Sequence, residues 1–160
     1  MKAVGCIFFM MGICFSDCYY EICFANSDLK IAIIEIESDS LTSEEKKQIL
    51  EKLINELSFN QNFKMISQAK INSALNTSIK KQSYFLDIKK SIKLGKKLEA
   101  DQVINCLVIK MKNLCVITVK LIDVKYSDSL VISSSSYGSF DKFLNTSVSE
   151  VTQKILKRIE

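Results

Sequence analysis

The sequence predicts an α/β (α+β) fold: a single mixed β-sheet of about four to five strands, including one hairpin, packed with about three to four helices. Three observations carry this expectation. An Ile-rich run, Leu29 to Glu37, is followed by apolar residues recurring at helical spacing. Two strand-like runs meet across the short connection Lys112-Asn113. The chain closes on an apolar stripe at 3–4 spacing between Phe140 and Ile159. With 160 residues, 48% hydrophobic and 25% charged, there is material for one core of useful size, and two domains would each be marginal. The expected organisation is therefore a leader, residues 1–25, and one domain, residues 26–160.

The leader reads as a signal peptide. Lys2 precedes an uncharged run from Ala3 to Ser16. That run is shorter than the roughly 20 apolar residues of a membrane-spanning helix and has the length of a secretory apolar segment, roughly 7 to 15 residues. Cys23-Phe24-Ala25 is a small-x-small pattern, so cleavage after Ala25 is the first reading. Lipidation at Cys14 or Cys18 is the second, although Ile13 and Asp17 stand where small uncharged residues are usual. A retained anchor, giving membrane association through the N-terminus, is the third. Cys6, Cys14, Cys18 and Cys23 have no CxxC spacing and no histidine beside them, so they read as small hydrophobes rather than metal ligands.

The elements of the body follow in order. Leu29 to Glu37 reads as a largely buried strand, broken by Ser38-Asp39-Ser40. Thr42 and Glu45 have capping-box spacing and open a helix to about Leu57, with Ile49, Leu50, Leu53, Ile54 and Leu57 on one face. Asn60-Gln61-Asn62 is its exit, and Phe63 to Ile66 a second strand. A short helix spans Lys70 to Ser78. Asp87 caps a further helix to about Leu98, with Ile88, Ile92 and Leu98 inward. Lys89, Lys93, Lys96 and Lys97 form a stripe on its other side, with Lys80 and Lys81 shortly upstream. This stripe is either a docking surface for an anionic partner or an ordinary solvated face.

Asp101 to Met111 and Cys115 to Val124 read as a β-hairpin. A two-residue loop would set Ile104, Cys106 and Val108 opposite Leu121, Val119 and Ile117, and Cys115 opposite Lys110 rather than Cys106. The last two cysteines are then expected to be buried free thiols. Ser129 to Tyr137 reads as a strand whose serines, Ser133 to Ser136, give it an exposed polar face. Gly138-Ser139 ends it. Phe140, Phe143, Leu144, Val148, Val151, Ile155 and Ile159 then form one helix that docks on the sheet.

The chain has no His, Pro or Trp. The lack of histidine removes Ser-His-Asp, Cys-His and His-metal chemistry. Every basic residue except Arg158 is lysine, which lacks the bidentate fork of specific phosphate and base recognition, so no nucleic-acid partner is expected.

The string Leu94-Gly95-Lys96-Lys97-Leu98-Glu99-Ala100-Asp101-Gln102-Val103-Ile104 resembles the helix end, Gly-Ala-Asp turn and strand start of a periplasmic α/β domain. That domain is shared by the curli secretion component CsgG and the penicillin-binding-protein activator LpoB, and it is similar to the amino-terminal domain of TolB. Supporting strings are Ile31 to Ile34, Phe63 to Ile66 followed by Leu75, and Leu121-Ile122-Asp123-Val124. The resemblance covers about Leu29 to Ile159. It implies that Leu94, Gly95, Leu98, Ala100, Asp101 and Asp123 form a structural motif. The sequence departs from the pattern at Glu99 and at Asp128-Ser129, where glycine is usual, and at Gln68, where arginine is common.

The resemblance implies a non-enzymatic, exported protein, periplasmic or outer-membrane-associated, without a cofactor. It would dock to an envelope protein partner, either a cell-wall synthase or a secretion or assembly complex, and be capable of oligomerising. The stretches between its elements are too short to hold the extra membrane-spanning hairpins of a pore. Two alternatives stand beside it. A small-ligand-binding subunit needs a roomy apolar cavity between helix and sheet. A hydrolase built on Asp101, Asp123 and Lys120 needs those side chains to converge.

Overall fold

A computed structural model describes residues 28–76 and 83–159. The leader, its four cysteines and Lys80, Lys81 and Ser78 lie outside the described residues. One five-stranded sheet with strand order β2-β1-β3-β4-β5 forms the centre. It comprises β1 (Leu29–Glu37), β2 (Phe63–Met65), β3 (Gln102–Met111), β4 (Leu114–Asp123) and β5 (Ser129–Tyr137). β1 runs parallel to β2 and β3, and β3, β4 and β5 form an antiparallel meander. The sheet is mixed, as the sequence predicts.

β1 is an Ile-rich run because both of its faces are covered. Ile31, Ile33 and Ile36 enter one core, and Ala32 and Ile34 enter the other. A register shift between Ile33 and Ile36 breaks strict alternation. Gln68 donates from Nε2 to the Ile33 carbonyl at 3.1 Å, satisfying an acceptor at this irregularity.

On the first face lie α1 (Ser43–Ser58) and the C-terminal helical segment. α1 starts at Thr42, whose Oγ1 accepts from the Glu45 N–H at 3.2 Å. The Glu45 carboxylate in turn accepts from the Thr42 N–H at 2.9 Å. This is the capping box that the spacing predicts. Ile49, Leu53 and Leu57 are fully buried beneath it.

Glu45 also accepts from Lys110 of β3, joining the helix start to the sheet. The Lys110 hydrogen bond, with help from the Thr42 backbone, holds the Glu45 carboxyl below its ordinary value, and Glu45 raises Lys110. A lowered carboxylate stabilises the fold above its unfolded pKa and loses that contribution as pH falls through the folded value. Glu45→Gln is therefore expected to lower stability at neutral pH, and the gap from the parent chain is expected to close under acid conditions. Urea unfolding at a series of pH values measures this; a gap that stays constant down to pH 3 would contradict it.

The second face carries α2 (Gln68–Asn76) and α3 (Ile88–Leu98). Ile71, Ala74, Leu94 and Leu98 pack there against Ala32, Ile34, Val103 and Ile122. The hairpin has the predicted register. Ile104, Cys106 and Val108 face Leu121, Val119 and Ile117, and Lys110 faces Cys115. Cys106 and Cys115 are free and buried, and burial pushes the Cys106 thiol up to about 12.

The C-terminal segment differs from the single regular helix that its stripe predicts. It consists of α4 (Phe140–Phe143), a π-helical turn over Leu144–Val148, and α5 (Ser149–Ile159). The wider turn rephases the stripe so that Phe143, Val148, Val151 and Ile155 are all fully buried. Ser134 and Ser136 also depart from an exposed serine face. β5 alternates, and Ser134 is buried, donating to Glu150 at 2.6 Å, while Ser133 and Ser135 stay exposed.

Candidate functional site

α3 is an amphipathic helix whose polar side is made of lysine. Asp87 caps it, its side chain accepting from the Lys90 N–H at 3.1 Å. Its C-terminal turn carries Lys96 and Lys97, where positive charge complements the helix dipole. Lys89, Lys93, Lys96 and Lys97 are all exposed, and Lys97 reaches the Ala74 carbonyl of α2 at 3.3 Å. From the facing helix, Lys70 donates to the Leu98 carbonyl at 3.2 Å. Within α2 and α3 there are lysines at 70, 89, 90, 93, 96 and 97, and no carboxylate. Among the described residues, no ion pair involves Lys89, Lys93 or Lys96. On the opposite face α1 is balanced, with Lys47–Glu51 and Lys52–Glu56 pairs along its length. The two helical layers thus differ in charge: α2 and α3 carry lysines without a carboxylate, whereas α1 and α5 carry both signs.

The turn after α3 explains the Leu94-to-Ile104 string. Gly95 lies against the sheet so closely that a Cβ there would sit 2.6 Å from Val124 and 2.8 Å from Val103. Leu94, Leu98 and Ala100 are buried beside it. Ala100 donates from its backbone to the Gly95 carbonyl at 2.9 Å, closing the helix end. Glu99 occupies the left-handed position, φ 56°, that glycine usually fills, and its side chain pairs loosely with Lys30. Just before the other departure, Asp128-Ser129, it is Ser127 that takes the left-handed conformation, φ 58°, in the turn into β5.

Asp101 then joins three strands. Its carboxylate accepts from the Lys30 N–H at 2.8 Å, its N–H donates to the Lys30 carbonyl, and its carbonyl accepts from Val124. Asp123 accepts from the Gln102 amide and from the Tyr126 N–H, both at 2.8 Å. Leu94, Leu98 and Ala100 are thus packed beneath the turn, and Asp101 and Asp123 are hydrogen-bonded at the end of the sheet.

The three side chains of the hydrolase alternative do not converge. Lys120 lies on the α2/α3 face, against the Phe85 carbonyl and 4.6 Å from its ring centre. Asp123 faces the other way, into a groove at the end of α5. Asp101 is committed to β1. Alternation along β4 separates positions 120 and 123 by a face, which cancels their closeness in sequence. The groove has a volume of about 360 Å³ and opens to solvent. Asp123, Asp128 and Arg158 share its wall with Leu29, Leu121 and Ile159, so it is not the apolar cavity that a ligand-binding subunit needs.

Sequence reasoning missed one polar cluster. Asn105, almost fully buried in β3, donates to the Tyr84 carbonyl at 2.8 Å and to Ser91 Oγ at 2.7 Å. Glu37 accepts from Ser83 and from the Phe85 N–H. With Lys120 these groups fasten residues 83–86 to the sheet just ahead of α3, and so fix where the lysine face points. The signal was present: Asn105 and Lys120 each interrupt an otherwise apolar strand, and a buried polar side chain needs a partner.

No protein family and no curated protein matches the chain by sequence. Solved structures do match. The LpoB C-terminal domain from Salmonella enterica has 16% identity and a TM-score of 0.55, over 69% of this chain and 84% of that one. The chain has an LpoB-like fold. Lipoprotein GNA1162 from Neisseria meningitidis is similar at 15% identity and a TM-score of 0.56, over 81% of this chain and 95% of that one. PelC from Paraburkholderia phytofirmans, solved as a dodecamer, has 13% identity and a TM-score of 0.54, over 78% and 86%. At these identities the likeness concerns the fold alone.

Proposed function

We propose that this LpoB-like domain is a non-enzymatic interaction module of the cell envelope, exported to the periplasm or outer membrane, that docks to a cell-wall synthase through the lysine face of α3. The observation that carries the reading is the charge asymmetry: a helical layer with lysines and no carboxylate, rigidly seated by the Asn105, Glu37 and Lys120 contacts. Such a layer steers an acidic protein surface toward it and fixes its orientation. A secretion or assembly complex is the second reading, favoured by the likeness to a dodecameric protein.

Crosslinking of the native protein in envelope fractions, followed by a binding measurement with the purified synthase recovered, tests the proposal. Recovery of the protein only as a soluble cytoplasmic monomer would defeat it. Replacing Lys89, Lys93 and Lys96 together by Glu is expected to weaken synthase binding at least about tenfold at ~0.15 M salt, with the association rate falling most. The variant should stay folded, because all three side chains are exposed, with its unfolding midpoint lowered only slightly by the loss of the favourable Lys96 charge at the end of α3. Unchanged affinity would remove the lysine face from the interface.

A further inference from the structure

The two edges of the sheet are built differently. β2 has three residues with Lys64 in the middle, a short and charged edge that discourages further pairing. β5 has nine residues, Ser-Leu-Val-Ile-Ser-Ser-Ser-Ser-Tyr, with no charge and no proline, and it pairs with β4 from Leu114↔Tyr137 to Ile122↔Ser129 without a register shift. None of the devices that normally blunt an edge is present along it.

The direction of its free backbone groups follows from two hydrogen bonds. Gly138 donates to the Asn113 carbonyl at 2.8 Å, and Asp123 donates to the Asp128 carbonyl at 2.9 Å. In an antiparallel ladder, hydrogen-bonded pairs alternate along the strand. The even-numbered residues of β5 are therefore spent on β4. Val131, Ser133, Ser135 and Tyr137 turn their N–H and C=O groups to the open edge.

We infer that this edge pairs with a second copy of the chain, β5 against β5 in antiparallel fashion about a two-fold axis at Ser134, to give one continuous sheet across the dimer. Opposed residues in an antiparallel pair share a face, so the register must bring odd positions opposite odd ones. Centring on Ser134 does this, setting Val131 against Tyr137 of the partner subunit. Both side chains lie on the α2/α3 face beyond the reach of its helices, 54% and 70% exposed. Met111, Leu114 and Tyr137 already form one row across the sheet, and the partner's Val131 continues it. Aromatic against β-branched is a favourable cross-strand pair. A second copy suits the edge because the strand meets its own reverse without opposing like charges. Its serines fall at the axis, where bulk would keep the backbones apart.

Light scattering and amide exchange on the intact protein over a concentration series test this. The expected result is a mass of two chains at high concentration, with the amides of Val131, Ser133, Ser135 and Tyr137 slowing as the dimer forms. Those of Ile132 and Ser134 should be slow throughout. Ser135→Pro removes an outward N–H that the monomer does not use, and is expected to raise the dissociation constant at least about tenfold. Ser133→Lys combined with Ser135→Lys should do the same by opposing like charges on either side of the axis, and the exposure of both positions keeps the test independent of any proline effect on folding. A single-chain mass at every concentration would overturn the inference. So would a dimer that survives in both variants while the outward amides stay fast.

Discussion

Gly95→Val is expected to destabilise the protein by about 3 kcal/mol, read as a lower urea midpoint with an unchanged slope. A helix interior ordinarily gains about 1 kcal/mol when glycine becomes alanine, so backbone propensity alone predicts the opposite sign for Gly95→Ala. Packing decides the outcome. The new Cβ would lie 2.6 Å from Val124 and 2.8 Å from Val103, and both neighbours are stiff, buried and β-branched, so neither can swing aside. Valine adds two further methyl groups to that overlap. The mechanism has its own check in Val124→Ala, which opens space under α3. In that background the cost of Gly95→Ala should shrink, so the double variant is more stable than the sum of the single losses. Strict additivity would mean that the glycine is needed for some reason other than close approach. Because α3 carries the lysine face, Gly95→Val should also weaken partner binding under the proposed function.

Phe143→Ala is expected to cost about 3–5 kcal/mol and to lower the midpoint of thermal unfolding by on the order of 10 °C. Phe143 is fully buried in the core between the sheet and the C-terminal segment, with its ring centre 5.8 Å from that of Phe140. It is also the last residue before the π-helical turn, so its cavity opens where the helix is already irregular. Phe143→Leu, which keeps most of the volume, should lose far less. Scanning calorimetry of the two variants beside the parent separates cavity formation from a general intolerance of change. A loss below about 1 kcal/mol for alanine would mean that the C-terminal segment does not seal this core.

Some of this protein is legible from spacing alone. Thr42 and Glu45 specify the start of α1 because a capping box is a contact between residues three apart. The hairpin register follows from the two-residue connection at Lys112-Asn113, since a tight loop leaves the strands one alignment. The lysine stripe is legible because 3.6-residue periodicity gathers Lys89, Lys93, Lys96 and Lys97 on one side of any helix containing them. Their common exposure in the structure agrees with that placement.

Local sequence therefore determined the elements, their caps, the hairpin and the chemical character of each face, all of them relations between near neighbours in the chain. The tertiary structure decided what depends on residues far apart. It set Lys120 and Asp123 on opposite faces and committed Asp101 to the backbone of Lys30. It brought Asn105, Glu37 and Lys120 together under residues 83–86, and it required a π-helical turn to keep the C-terminal stripe on the core. It also placed β2 and β5 at the two edges of the sheet. Strand order is settled by which strands find partners once β1 is buried between β2 and β3, and no spacing within the chain encodes that order.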